Sequence, residues 1–310
     1  MEEKKSQTFS VCYNNNICNF EKYTFTPALS FELYNLHSED GVGGKHKGIN
    51  IFRIDFTKVG RFECEFSDHT FSYRGENEIT VMSTLESEEW ILESNYPVGV
   101  YIGCAIIIEL DKLSDEDNFF LDKFNISIIE LISIINLNKR WYKYVGSTQL
   151  IDLFNDIYNA HIVSNPDIIW LRILEILICI SKNKFNDILT NKDSKYFSRE
   201  QVNKVKSLHG IITKNYNKTI SIEKIVRENG IGYSSFNTIF KNIYGQSPYQ
   251  YLKKLRINLA ANMLHETKSS ILEIAVSVGY NNPSKFSNAF KSIFGVLPST
   301  FRKQKNGMEH

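Results

Sequence analysis

Residues 229–245 read NGIGYSSFNTIFKNIYG, and residues 278–295 read VGYNNPSKFSNAFKSIFG. In the first stretch Phe236, Ile239 and Phe240 recur at i, i+3 and i+4, one face of a helix, while Ser234, Ser235, Asn237, Thr238 and Lys241 fall on the other. Upstream, Ser221 is placed to cap a helix over Ile222–Glu228, which ends at Asn229-Gly230, where a positive φ is easily met. A short helix, a glycine turn and a second helix with a polar outer face is helix-turn-helix geometry. The second stretch repeats it. Ile274 and Gly279 stand 49 residues after Ile225 and Gly230, whereas Phe286, Phe290, Lys291, Gly295 and Pro298 stand 50 after Phe236, Phe240, Lys241, Gly245 and Pro248. The step from 49 to 50 is one residue inserted in the second turn. Identity at one offset and one helical phase marks a duplicated unit.

Working outward, a helix is expected over residues 200–215, and Ser247 and Pro248 open a longer one over Pro248–Glu266. Its apolar face is expected at Leu252, Leu255, Leu259 and Met263. A continuous helix between the units sets their separation, and recognition helices entering successive major grooves of B-DNA lie about 34–36 Å apart. The charge supports a polyanionic partner: residues 199–310 hold 17 Lys+Arg against 6 Asp+Glu, a balance of +11, and residues 1–198 hold 19 against 29, a balance of −10.

GQSPYQYLKKLRINLAANML (245–264) followed by ILEIAVSVGYNNPSKFSNAFKSIFGVLPSTFRK (271–303) resembles the DNA-binding domain of the AraC/XylS transcription activators. The likeness rests on Gly245, Ser247, Pro248, Tyr251, Leu252, Arg256, Ala260 and Leu264. It continues through Ile274, Ala275, Val278, Gly279, Tyr280, Phe286, Phe290, Lys291, Gly295, Pro298 and Arg302. It implies double-stranded DNA as partner. Base contacts are expected from Ser234, Ser235, Asn237 and Thr238 in the first unit and Ser284, Lys285, Ser287 and Asn288 in the second. Phosphate contacts are expected from Lys241, Lys291, Ser221 and Ser247. Where the family often carries Arg, this chain has Asn288 and, near the corresponding place, Thr238. Because Asn pairs with adenine and Arg with guanine, this reading surface leans toward A·T. Phe236, Phe240, Phe286 and Phe290 share the apolar phase and are expected in the core. Arg256 is expected to pair with a helix-terminal carbonyl or with Glu228 or Glu273. Lys253, Lys254, Arg302 and Lys303 read as solvated.

The first 110 residues alternate with period two. Phe52, Ile54 and Phe56 interleave with Arg53, Asp55 and Thr57, and Phe62, Cys64 and Phe66 with Glu63, Glu65 and Ser67. Short alternating runs separated by turn residues predict an antiparallel β barrel or sandwich. From Ser114-Asp-Glu-Asp onward Phe120, Phe124, Ile128, Leu131 and Ile135 follow at helical spacing, and two further helices are expected at 148–162 and 167–182. The last is apolar nearly all round, and Ile173 is expected on a stripe left over for a second subunit. The fold class is therefore α+β: a strand-rich region (1–113), helices (114–184), a linker (185–198) and an all-α domain of two helix-turn-helix units (199–305). The N-terminal layout is similar to the cupin-like sensing and dimerising region of many AraC-type proteins. That likeness implies a homodimer, a small-molecule effector of unknown identity and, for an activator, contact with RNA polymerase. A lining of Phe, Tyr and Ile would suit apolar or amphipathic effectors.

Other chemistry is not indicated. Cys12, Cys18, Cys64, Cys104 and Cys179 form no CxxC pair and read as reduced core thiols, with a redox pair at Cys12 and Cys18 the lesser alternative. His46 and His69 stand alone, so no metal and no cofactor is expected. Glu86, Glu88 and Glu89 beside Trp90 read as a solvated loop. No catalytic spacing of acids, GxSxG or phosphate loop is present, so no enzyme is expected. The charged start MEEKKSQTFS lacks an apolar core, and the apolar runs near 126–137 and 168–180 are too short to span a bilayer. A cytoplasmic protein without membrane association is expected.

Overall fold

The computed structural model describes residues 5–13, 16–37, 50–84, 91–136, 142–144, 148–162, 165–182 and 195–306, and the chain divides into two units, Met1–Ser198 and Arg199–His310. The first unit carries β1 (Lys5–Tyr13), β2 (Asn16–Thr24), β3 (Leu29–His37), β4 (Ile51–Gly60), β5 (Phe62–Phe66), β6 (Thr70–Arg74), β7 (Glu78–Ser83), β8 (Ile91–Asn95), β9 (Val100–Glu109), β10 (Tyr142–Tyr144) and β11 (Phe197–Ser198). They form two sheets, in the orders β1-β2-β3-β9-β4-β7-β10 and β11-β6-β5-β8, every pairing antiparallel. Helices α1 (Asp115–Asp122), α2 (Ile128–Asn136), α3 (Thr148–Ile162) and α4 (Pro166–Lys182) complete the unit.

Successive side chains of the larger sheet point to opposite faces. Phe52, Ile54 and Phe56 of β4, Ile79 and Val81 of β7, and Ile106 and Ile108 of β9 join the helices in one core with Leu121, Leu131, Phe154, Ile169 and Leu177. Phe56 stacks on Phe154 of α3, ring centroids 5.1 Å apart. The other face of β4 carries Arg53, Asp55 and Thr57, and meets Arg74 of the smaller sheet. Arg74, 1% exposed, donates from Nε to Thr57 Oγ1 (2.7 Å), from Nη1 to Thr80 Oγ1 (2.5 Å) and from Nη2 to the Tyr101 hydroxyl (2.6 Å). Asp55 lies 3.4 Å from Arg74 and accepts from Arg53 Nε at 2.9 and 3.0 Å. The Phe62 ring lies 4.7 Å from the Arg74 guanidinium carbon. A buried guanidinium is tolerable only when its donors are used and its charge is paired, and both conditions hold. The lining between the sheets is thus mixed: this polar group stands beside Phe62, Phe66, Met82, Ile91 and Tyr101, so the expected Phe, Tyr and Ile surface is interrupted by a buried arginine and its partners, while the large apolar residues of β4 point toward the helices.

Three further expectations change. The helical stretch after Ser114 breaks: α1, opened by a Ser114–Asp117 capping box, ends before Asn125, which takes a left-handed φ of 56°, and α2 begins at Ile128. On α4, Ile173 is fully buried with Ile169, Ile176 and Leu177 in the core of its own subunit, so it offers nothing to a partner; the exposed apolar positions are Ile168 and Leu171. The stretch expected as a linker ends in structure, since Phe197 and Ser198 pair with Phe71 and Thr70 of β6, with Phe197 buried beside Tyr73. His46, the residues of the 85–90 loop and most of the linker lie outside the described residues. Cys64 and Cys104 are buried free thiols and Cys179 a half-buried one, all pushed above the usual thiol pKa by burial. Among the described residues no group of His, Cys, Asp or Glu could hold a metal, and no helix is long and apolar enough to cross a membrane.

The second unit is helical: α5 (Arg199–Lys214), α6 (Ile222–Glu228), α7 (Tyr233–Tyr244), α8 (Pro248–Glu266), α9 (Ile271–Ser277), α10 (Pro283–Phe294) and α11 (Pro298–Asn306). The long helix α8 buries Leu252, Ile257, Ala260, Ala261 and Leu264, whereas Leu255, Leu259 and Met263 are half-buried. Its buried side is therefore rotated from the expected stripe, because packing surrounds it from two directions. His209 of α5 lies among Tyr244, Tyr251 and Phe240, at 4.2, 4.8 and 5.9 Å between ring centroids. Its Nε2 is buried without a hydrogen-bond partner, and burial pushes its pKa down to about 4.

Asp55→Ala strands two guanidiniums, so it is expected to cost about 3–5 kcal/mol, more than Arg74→Met, which leaves Asp55 still paired with Arg53. Urea unfolding followed by tryptophan emission checks the order, since Trp90, Trp141 and Trp170 all lie in the first unit. His209 has a folded pKa below its unfolded value of about 6.5, so the stability of its neutral form is complete above that value and is lost as pH falls toward 4. His209→Phe is expected to remove this acid-side loss from helix melting followed by circular dichroism; an unchanged profile would assign it to other groups.

Candidate nucleic-acid interface

Each helix-turn-helix is set by its ends. Ser221 Oγ accepts the Lys224 N–H at 3.3 Å and starts α6; Ser270 and Glu273 form a capping box that starts α9. After each of these helices a glycine takes the left-handed conformation, Gly230 at φ 68° and Gly279 at φ 87°, reversing the chain without the Cβ clash that other residues would meet. Beyond the second turn Asn282 Oδ1 accepts the Lys285 N–H at 3.0 Å and caps α10. Both recognition helices, α7 and α10, close on left-handed glycines, Gly245 and Gly295, whose N–H groups donate to the Lys241 and Lys291 carbonyls at 2.9 Å. The sequence repeat is thus a repeat of backbone geometry.

Inward, α7 buries Phe236, Ile239, Phe240 and Ile243, and α10 buries Phe286, Ala289 and Phe290. Outward, Ser234, Ser235, Lys241, Ser284, Lys285, Asn288 and Lys291 are exposed, and Asn237, Thr238 and Ser287 are half-buried. The eight residues expected to read bases therefore lie on the polar faces of two equivalent helices, and the two lysines lie in their last turns. Among the described residues, none holds the side chains of Ser235, Asn237, Lys285 or Asn288 by a hydrogen bond, which leaves them available to a ligand. Ser221 and Ser247 act first as caps: Ser247 Oγ accepts from the Gln250 N–H at 3.3 Å and lies 3.0 Å from Gln250 Oε1.

Several basic residues have structural partners that helical phase did not reveal. Lys253, expected in solvent, donates to Ser292 Oγ of α10 at 2.9 Å. Arg302, also expected in solvent, is half-buried and donates to the Ser269 carbonyl at 2.7 Å. Arg256 takes the carbonyl alternative and neither acid. Its Nε donates to Tyr216 O at 2.6 Å and its Nη2 to Lys218 O at 2.7 Å. Lys204 of α5 reaches the Gly230 carbonyl at 3.3 Å, which anchors the first turn. Only the three-dimensional approach of separate helices brings these partners together, so no local sequence signal marks them.

Residues 225–304 match a family model described as a helix-turn-helix domain. The virulence regulon transcriptional activator VirF of Yersinia enterocolitica is 33% identical over 98 residues, which is 32% of this chain and 36% of that protein. The transcriptional activator RhaR of Mannheimia succiniciproducens is 29% identical over 136 residues, 44% of this chain and 45% of that protein. The match thus spans less than half the length of either relative. Among solved structures, the C-terminal domain of AraT, a response regulator from Geobacillus stearothermophilus, is 29% identical, covering 33% of this chain and 84% of that one with a TM-score of 0.32. The C-terminal unit of this chain is a paired helix-turn-helix domain, similar to the DNA-binding domains of AraC/XylS-type regulators.

Proposed function

We propose that this chain is a sequence-specific DNA-binding transcription regulator, acting in the cytoplasm as an activator, with its control in the N-terminal unit. The observation that carries the reading is the pair of equivalent recognition helices, each apolar inside and polar outside, in a segment with a balance of +11. Asn237, Thr238, Lys285 and Asn288, flanked by Ser234, Ser235, Ser284 and Ser287, read base edges in successive major grooves. Lys241 and Lys291 hold phosphates and position the helices, as do the capped helix starts at Ser221 and Ser247. The relatives named above are transcriptional activators, which supports contact with RNA polymerase.

Residues 1–113 would then sense a small molecule, residues 114–184 would pair two subunits, and residues 199–305 would bind DNA. An effector entering between the sheets meets the hydrogen-bonding groups of Arg53, Arg74 and Tyr101 beside Phe62, Phe66 and Met82, so an amphipathic molecule with a polar end fits. Pairing of subunits falls to exposed apolar side chains of the helical layer such as Leu171, 62% exposed on α4. A second reading, an enzyme with a nucleophilic cysteine fused to a DNA-binding module, is disfavoured by burial, which pushes Cys64 and Cys104 away from the thiolate form.

Binding to promoter fragments is expected to weaken steeply with salt, log K falling by about 0.9 per phosphate neutralised. Asn288→Ala should cost about 1–3 kcal/mol on the preferred site and relax preference at one or two base pairs. Lys291→Ala should weaken all sequences alike and reduce the salt slope by about one. If both variants keep the parent's sequence preference and salt slope, α10 does not lie in the groove. For the dimer, sedimentation of the full chain at tens of micromolar is expected to show a pair that Leu171→Glu splits without loss of melting temperature; a monomeric parent refutes the pairing.

A further inference from the structure

The two helix-turn-helix units are not alike where they face each other. The loop of residues 215–219, between α5 and α6, belongs to the first unit; the turn of residues 279–281 belongs to the second. Arg256 of α8 lies between them. Its two donors bind the Tyr216 and Lys218 carbonyls, and its guanidinium carbon sits 5.8 Å from the centre of the Tyr280 ring. Gly279 closes the other side: a Cβ there would fall 3.0 Å from Arg256 Cζ and 3.0 Å from the Asn217 carbonyl carbon. The corresponding Gly230 of the first unit has only Lys204 Nζ near, at 3.6 Å. Asn281 then donates from Nδ2 to Thr219 Oγ1 at 3.3 Å. The extra residue that shifts the repeat from 49 to 50 falls in this stretch. It lengthens the second turn enough for Asn281 to reach across while Asn282 still caps α10.

We propose that Arg256, seated between the 216–218 carbonyls and the Gly279 backbone, is a positioning residue that locks the two units at one separation and angle, so that this chain accepts DNA half-elements at a single spacing. The physical reason is that the apolar packing of α8 at its two ends is non-directional and fixes the angle between the units less sharply than hydrogen bonds do. A planar guanidinium bound to two backbone carbonyls of one unit and covered by the turn of the other removes the freedom that remains. Both recognition helices then enter their grooves together or not at all. The inference rests on the DNA-binding reading, and the test keeps the two apart.

The full chain is measured against duplexes in which the two half-elements of its preferred site are moved apart by one base pair at a time. One added pair shifts a half-element by about 3.4 Å and turns it by about 35°. The parent is expected to lose about tenfold or more in affinity per added pair, the scale of taking one contacted base out of register. Arg256→Ala should bind the native spacing more weakly and the altered spacings nearly as well, a flattened profile; Arg256→Lys should fall between. Asn281→Ala with Thr219→Val should flatten it in part without touching α8, which covers the case in which Arg256→Ala fails to fold. An Arg256→Ala protein that melts like the parent and keeps its full spacing dependence overturns the proposal, as does a parent indifferent to spacing. Spin labels carried by unnatural residues at 235 and 284 give a readout without DNA, narrow in the parent and broadened by Arg256→Ala. A parent that binds no duplex, with the broadening still produced by Arg256→Ala, sinks the DNA reading and leaves the lock, whereas equal widths sink the lock.

Discussion

Helix α8 belongs to two cores at once, and the C-terminal unit depends on that sharing. Its Leu252 end is buried beside α7 and the aromatic group around His209, while Ile257, Ala260, Ala261 and Leu264 are part of the cluster with Ile274, Phe286 and Phe290. Neither helix-turn-helix has enough apolar surface to close a core alone: α6 and α9 are seven residues each, too short to persist in isolation. Packing both against one rod solves this, and it ties their positions together. Ala260 and Ala261 matter because small side chains let α9 to α11 come close on one side while Ile257 and Leu264 fill the gaps.

The N-terminal unit meets the opposite problem. Its larger sheet has two faces to cover, and only one receives helices. The helix-covered face is dry and made of Phe, Ile and Leu; the face toward the smaller sheet carries a buried polar group, Asp55, Thr57 and Thr80 around Arg74 of the smaller sheet, beside Met82 and Tyr101. Apolar residues there would stabilise the sandwich at least as well. A paired ionic layer contributes directional contacts instead: three hydroxyls and one carboxylate converge on one guanidinium, so the sheets can meet in one register only. Such a layer is also sensitive to any polar molecule that replaces one of its hydrogen bonds, which is what a sensing site requires.

How far these features were legible in the sequence follows from the range of the signals. The helix-turn-helix pair was legible because its information is local: a 3.6-residue period, a serine or asparagine cap and a positive-φ glycine all lie within one turn of the residues they organise. The strands were legible as alternation, but alternation names two faces without saying which meets the helices. That is why alternation leads to a lining of Phe, Tyr and Ile between the sheets without showing that Arg53, Asp55 and Arg74 stand among Phe62, Phe66 and Tyr101. Helix α4 failed for a related reason. A helix apolar nearly all round is compatible with burial inside one subunit or between two, and Ile173 shows that the first applies to that position. Lys253 and Arg302 show the same limit from the polar side: a basic residue on a helix reads as solvated until the oxygen it binds, some forty and thirty residues away, is in place.

On the proposed reading, this division between local and long-range information is also a division of labour in binding. The residues that would choose a base, Asn237, Thr238, Lys285 and Asn288, sit on the local repeat and are exposed or half-buried; changing one alters preference without disturbing a core. The residues that set where the two reading faces stand, Arg256, Gly279 and Asn281, are held by contacts between the units. Substituting them changes geometry, not chemistry. A repeat that arose by duplication would begin with two equal turns and no contact between them. The single inserted residue at the second turn breaks that symmetry where a cross-contact to Thr219 forms. An insertion that leaves both caps and all four left-handed glycines intact costs the individual unit little, so the new contact can appear while each reading helix keeps its own fold.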